Sequence, residues 1–155
     1  MEQSDPLQDV RALIAFLRRP ILRTRVGVWH MPLQCVGQER DVAARLGVEA
    51  VDVRDPIRQQ LPEGTRFVRL TVEKTLEALD FFATTRGITD CAFVCHMDLL
   101  LTGLSREDRQ RFWESLFDGL PHRSRALLLA IPETAHGVLL PDRWREAWRR
   151  DGRLV

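Results

Sequence analysis

An α/β fold, a three-layer sandwich with a mostly parallel sheet of four or five strands between helices, is what this sequence predicts, on three observations. Short apolar runs of β type alternate with amphipathic stretches from one end of the chain to the other. Residues 91–97 and 125–131 are largely apolar instead of alternating, the pattern of parallel strands covered on both faces. No repeat, linker or low-complexity segment interrupts the alternation, so residues 1–155 are read as a single domain.

Each element has its own signal. Ser4-Asp-Pro6 opens a helix with a capping side chain and a first-turn proline, and Leu7, Val10, Ile14 and Leu17 recur at helical spacing up to Pro20. Residues 25–30 form the first strand. A broken stretch around Pro32 leads to a helix over 38–46, ended by Gly47. Residues 48–53 read as the second strand, and a short helix near Ile57 precedes a turn at Pro62-Glu-Gly64. Thr71 caps a helix that runs to Arg86 and closes at Gly87, with Val72, Leu76, Leu79 and Ala83 on one face. Residues 91–97 are the third strand. Ser105 starts a helix with Phe112, Trp113, Leu116, Phe117 and Leu120 as its apolar face and a Glu107–Arg111 pair on its surface. Residues 125–131 form the fourth strand, and 141–150 a final helix carrying Trp144 and Trp148 on one side.

Composition narrows the function classes. The chain has 155 residues, 45% hydrophobic and 29% charged, ordinary values for a globular domain. No apolar run approaches the roughly 20 residues that span a bilayer, and the acidic, polar start is unlike a signal peptide. A cytoplasmic protein without membrane contact is expected. Net charge is +1, which does not mark a nucleic-acid binder, although arginines cluster near both ends. Lys74 is the single lysine, so none lies near a phosphate loop. Cys35, Cys91 and Cys95 have no disulfide-framework spacing and read as reduced core thiols.

Few residues stand out chemically. Asp98 follows the third strand, where open α/β sheets bind ligands, and reads either as a magnesium-organising carboxylate or as a helix-start residue. The segment Trp29 to Gln38 stands where a phosphate cradle would be expected. It has Pro32, which lacks an amide hydrogen, one glycine (Gly37) and no lysine, so a plain connection is the expectation. Thr134 or Glu133, after the fourth strand, would lie near any ligand at that edge. Cys91, Cys95 and His96, with His30 or Cys35, invite a zinc site, but His96 points to the opposite face of the strand from the cysteines. No metal and no cofactor are expected, and no nucleophile–base pair is apparent. Ser105 reads as a helix cap, and His122 and His136 as loop residues. Trp144 and Trp148 with Arg145 and Arg149, and Arg18 and Arg19 on the first helix, are candidate contact surfaces, since Trp and Arg are enriched at protein interfaces. Packing of both tryptophans onto the domain is the competing expectation.

The order of elements resembles the small P-loop protein of BREX (bacteriophage exclusion) type 3 systems and related short AAA-like ATPases of antiphage defence. The resemblance lies in the first strand ending at His30, in Val51-Asp-Val53 followed by Ile57-Arg-Gln-Gln-Leu61, in Cys91-Ala-Phe-Val-Cys-His-Met-Asp-Leu-Leu-Leu101, and in Arg125-Ala-Leu-Leu-Leu-Ala-Ile-Pro132. It implies a P-loop NTPase-like fold with Asp98 in the magnesium position. The glycine-rich loop with lysine is missing at 29–38, and Leu99 stands where many such ATPases carry a second acid. The expectation is therefore a non-catalytic subunit or adaptor of a multi-protein bacterial defence or DNA-processing system, working through a protein partner. A weak nucleotide-binding ATPase using Asp98, or an arginine-rich nucleic-acid-binding module, are the alternatives.

Overall fold

The structure is a computed structural model and describes residues 5–66, 68–87 and 89–155. Four parallel strands, β1 (Val26–Met31), β2 (Glu49–Asp52), β3 (Cys91–Cys95) and β4 (Ala126–Pro132), pair in the order β1-β4-β3-β2. The register sets Val28 beside Leu129, Cys91 beside Ala126 and Val51 beside Val94. After the last helix the chain returns beside the outer edge of β1. Val28 N–H donates to the Arg153 carbonyl at 2.8 Å and His30 N–H to that of Val155 at 2.8 Å, with a parallel bridge from Val28 to Leu154.

Strand periodicity sorts side chains into two cores. Trp29, Met31, Phe93, Cys91, Cys95 and Leu128 face α1 (Gln8–Leu17) and α2 (Glu39–Leu46). Val28, Val94, Leu127, Leu129 and Ile131 face α4 (Val72–Thr84), α5 (Met97–Thr102), α6 (Arg106–Phe117) and α8 (Asp142–Arg150). The chain crosses from β1 to the far edge through α2, then steps back through β3 to β4. Right-handed crossovers in opposite directions place their helices on opposite faces, so a three-layer arrangement follows from the strand order. Short α3 (Arg54–Gln59) and α7 (His136–Leu139) follow β2 and β4.

Local chemistry explains the boundaries. Asp5 accepts from Leu7 N–H at 3.0 Å ahead of α1, while the expected Ser4 cap lies outside the described residues. Gly47 closes α2 in the left-handed region at φ 69°. Thr71 and Ser105 cap α4 and α6 by accepting from Lys74 and Asp108 N–H at 3.1 Å each. Three expectations need correcting. Strand β3 stops at Cys95 and α5 follows directly, because His96 adopts φ 66° and turns the chain out of the sheet. Helix α4 ends at Thr84 with Thr85 as its cap, so Gly87 does not close it. Arg111 pairs with Asp108 at 3.1 Å and Glu73 at 3.3 Å in place of Glu107. Among the described residues no helix is long and apolar enough to cross a membrane.

Candidate functional site

The carboxyl edge of the sheet is where this topology can hold a ligand. The chain leaving β1 turns to the α2 face, whereas the chains leaving β3 and β4 turn to the other face, so a crevice opens between the ends of β1 and β4. The loop after β1 fills it. Leu33 N–H donates to the Glu133 carboxylate at 3.3 Å, and Glu133 N–H returns to the Met31 carbonyl at 2.9 Å. Gly37 N–H donates to the Glu39 carboxylate at 3.0 Å. The amides of Cys35, Val36 and Gln38 donate to the carbonyls of Pro32, Leu33 and Cys35, closing a short 3-10 turn. A phosphate cradle needs amides converging on open space. Here these donors are spent inside the chain, two of them on its own carboxylates.

Two adjoining hollows flank this loop and share Gly37, Glu39, Cys95 and His96. The larger, about 490 Å³, is lined by Arg40, Asp41, Asp52 and Asp55 among others. The smaller, about 210 Å³, reaches Met31, Val36, Asp98 and Pro132. Asp52 is held by Arg54 in a two-pronged pair, Nε to Oδ1 at 3.0 Å and Nη2 to Oδ2 at 2.8 Å. Burial opposes ionisation of Asp52, but those hydrogen bonds and the Arg54 charge keep its pKa below the ordinary carboxylate value. His96 Nε2 lies 3.9 Å from Asp52 Oδ2. Its left-handed backbone is strained for a non-glycine residue, and the turn it makes aims the ring into the hollows instead of the sheet. Glu39, Asp41, Asp98 and Glu133 enter no ion pair with a described residue. Arg54 is committed to Asp52, and Lys74 on α4 donates to the Arg69 carbonyl. The edge therefore mixes the carboxylates of Glu39, Asp41, Asp98 and Glu133 with the exposed guanidiniums of Arg40, Arg45 and Arg149.

On the far side of the crevice His30 stacks on His136, ring centroids 3.9 Å apart. Burial first, then the charges of His136, Arg145 and Arg149, lowers the His30 pKa from 6.5 to about 4. His136 Nδ1 is 2.6 Å from the Glu133 carbonyl, which ties this pair to the same turn.

The structure separates the residues singled out in the sequence. Asp98 stands in the first turn of α5, three residues past the end of β3, and is half-buried. Thr134 lies exposed in the turn after β4. Trp148 is not a contact surface: it is fully buried, edge-on to Trp113 and Phe117 with the Arg153 guanidinium 4.2 Å from its ring. Trp144 is half-buried against Phe117. Arg145 bonds Asp142 and the Leu140 carbonyl, and Arg149 is exposed. Arg18 pairs with Asp90 at 2.8 Å and Arg19 lies over Phe16, both at the end of α1 in the other layer. Cys91 and Cys95 are buried on the α1–α2 side, with burial pushing both thiols up to about 12. Among the described residues no three His, Cys, Asp or Glu side chains converge as a metal site.

The sequence did not reveal the Asp52–Arg54–His96 group or the Leu33–Glu133 bond. The Asp52–Arg54 pair is local, but His96 and Glu133 are brought in from segments that follow other strands, and spacing along the chain carries no trace of that. No protein-family model matches the chain, and no curated protein or solved structure matches it.

Proposed function

We propose that this chain is a non-catalytic, P-loop NTPase-like subunit or adaptor of a multi-protein bacterial antiphage defence or DNA-processing system, acting through protein contacts. The observation that carries the reading is the closed loop after β1, whose amides are spent on Glu133, Glu39 and its own carbonyls. An α/β sheet with an intact switch-point crevice keeps the place for a nucleotide, but this filling removes the means of gripping phosphate. The edge that remains presents exposed apolar side chains among acids and arginines, which suits a protein better than a nucleotide.

Two measurements test the reading. Calorimetric titration with magnesium and ATP should give no heat of binding up to about 1 mM, a ceiling of about 4 kcal/mol in affinity. Purification of a tagged copy from its native cell, at moderate salt with nuclease added, should recover a stoichiometric protein companion. Saturable nucleotide binding abolished by Asp98→Ala would replace this reading with the enzymatic one.

A further inference from the structure

The two edge strands of the sheet are finished differently. On β1 the outward main-chain groups of Val28 and His30 are taken by the C-terminal run, through bonds to Arg153 and Val155. On β2, the opposite edge strand, no described segment does the same. Val53 N–H donates to the Cys95 carbonyl at 3.2 Å, so in this parallel ladder the odd residues turn their amides and carbonyls toward β3. The even residues turn theirs outward. Val48 N–H is taken by the Ala43 carbonyl at the end of α2. The N–H and C=O groups of Ala50 and Asp52 meet no partner among the described residues. The hollow of about 490 Å³ runs along this edge, with Glu49 to Asp52 in its lining. Arg40 and Asp41 of α2 line it from one layer and Phe82 of α4 from the other, so the hollow straddles the edge.

We propose that the outer edge of β2 takes up an extended, proline-free segment of a partner protein, which lies in this hollow as an added strand. The inference rests on the reading that the chain acts through protein contacts, and it names the surface. Outward donors and acceptors at alternate residues call for an occupant with main-chain groups at the repeat of a strand, which another extended polypeptide supplies. On β1 the C-terminal run already fills that role within the chain. Ala50 packs toward the α1–α2 core and Val51 toward the α4 core, so successive side chains of the added strand face the two layers in turn. One set meets Val51 and Phe82 and is apolar. The other meets Arg40 and Asp41 and is polar. Acids and arginine share the lining, so main-chain bonds and this alternation set the choice of partner, not net charge. β2 has four residues and helices flank it on both faces, so a lone strand fits better than the β2 of a second copy, flanked in the same way.

Selection of short linear peptides from a random display library by the whole chain tests this. The enriched peptides should alternate apolar and polar residues, lack proline at their centre and bind at about 100 μM or tighter. In amide hydrogen exchange read by nuclear magnetic resonance, a bound peptide should slow Ala50 and Asp52 and leave Val51 and Val53, already bonded to β3, little changed. Ala50→Pro removes one outward donor, a change that an edge strand tolerates, and should weaken binding about tenfold or more. Its denaturant midpoint is the control for folding, and the exchange measurement needs no variant. No enriched peptide, equal binding to folded Ala50→Pro, or protection that spares Ala50 and Asp52 would overturn the proposal. Dimers of the wild type that Ala50→Pro abolishes would also overturn it, by putting a second copy on this edge. A stoichiometric companion from the native cell whose binding survives Ala50→Pro would overturn it and leave the adaptor reading standing; saturable magnesium-ATP binding would remove that reading itself.

Discussion

The backbone N–H of Leu33 donates to the carboxylate of Glu133 at 3.3 Å, joining the loop after β1 to the turn after β4 across the mouth of the crevice. An anion bound there would have to displace a carboxylate that the chain itself supplies. Glu133→Ala should lower stability by about 0.5–1 kcal/mol, the value of an exposed hydrogen bond, read from the denaturant midpoint. It should bring no affinity for phosphate, because the amides of Cys35, Val36 and Gln38 still face inward.

Gly87 lies against an ion pair whose arginine is buried and whose glutamate is partly exposed. Arg125 is 5% exposed and bonds Glu49 and the Thr89 carbonyl. A Cβ at Gly87 would stand 2.4 Å from Arg125 Nη2 and 2.6 Å from Glu49 Oε2. Gly87→Ala should push these side-chain ends aside and cost about 1 kcal/mol in thermal unfolding. Gly137→Ala, where a Cβ meets nothing within 4 Å, is the control and should be neutral or slightly stabilising.

Trp148 and Trp144 should differ in the same experiment. Truncating the fully buried Trp148 to alanine should cost about 3–5 kcal/mol, since it empties the space between Trp113, Phe117 and Arg153. Trp144→Ala should cost about 1–2 kcal/mol because that ring is half solvated.

His30 gives stability a pH dependence. Its folded pKa of about 4 lies below the ordinary 6.5, so the unfolded chain binds the proton first as pH falls. The contribution is complete above pH 6.5 and is lost as pH drops toward 4. Its size is about 1–2 kcal/mol once the partial exposure of the ring is discounted. His30→Gln should flatten the denaturant midpoint between pH 6.5 and 4. The window for Asp52 lies lower, below its ordinary 3.8, and should be unaffected.

How much of this was legible in the sequence follows from what short-range pattern carries. All four strands, of four to seven residues, were readable because β-type runs sat between amphipathic stretches. The end of β3 was not, because Cys91 to Leu101 is almost uniformly apolar and periodicity cannot separate a buried strand from a buried helix. The left-handed His96 divides them, and a histidine gives less warning of that conformation than a glycine would. With one glycine and no lysine, Trp29 to Gln38 read as a plain connection, and the amides of Leu33, Cys35, Val36, Gly37 and Gln38 are hydrogen-bonded within the chain. What Leu33 meets instead, Glu133 in the turn after β4 and 100 residues away, depends on the parallel pairing of β1 with β4. Trp144 and Trp148 share a helical face, but their unequal burial depends on where α6 and the returning C-terminal run cross α8.

The central proposal is that the carboxyl edge of this sheet holds no nucleotide, and a calorimetric titration of the whole chain with ATP in excess magnesium tests it most directly. The account predicts no saturable heat up to about 1 mM nucleotide, for the wild type and for Asp98→Ala alike. A magnesium-dependent isotherm in the wild type that disappears in Asp98→Ala would contradict it.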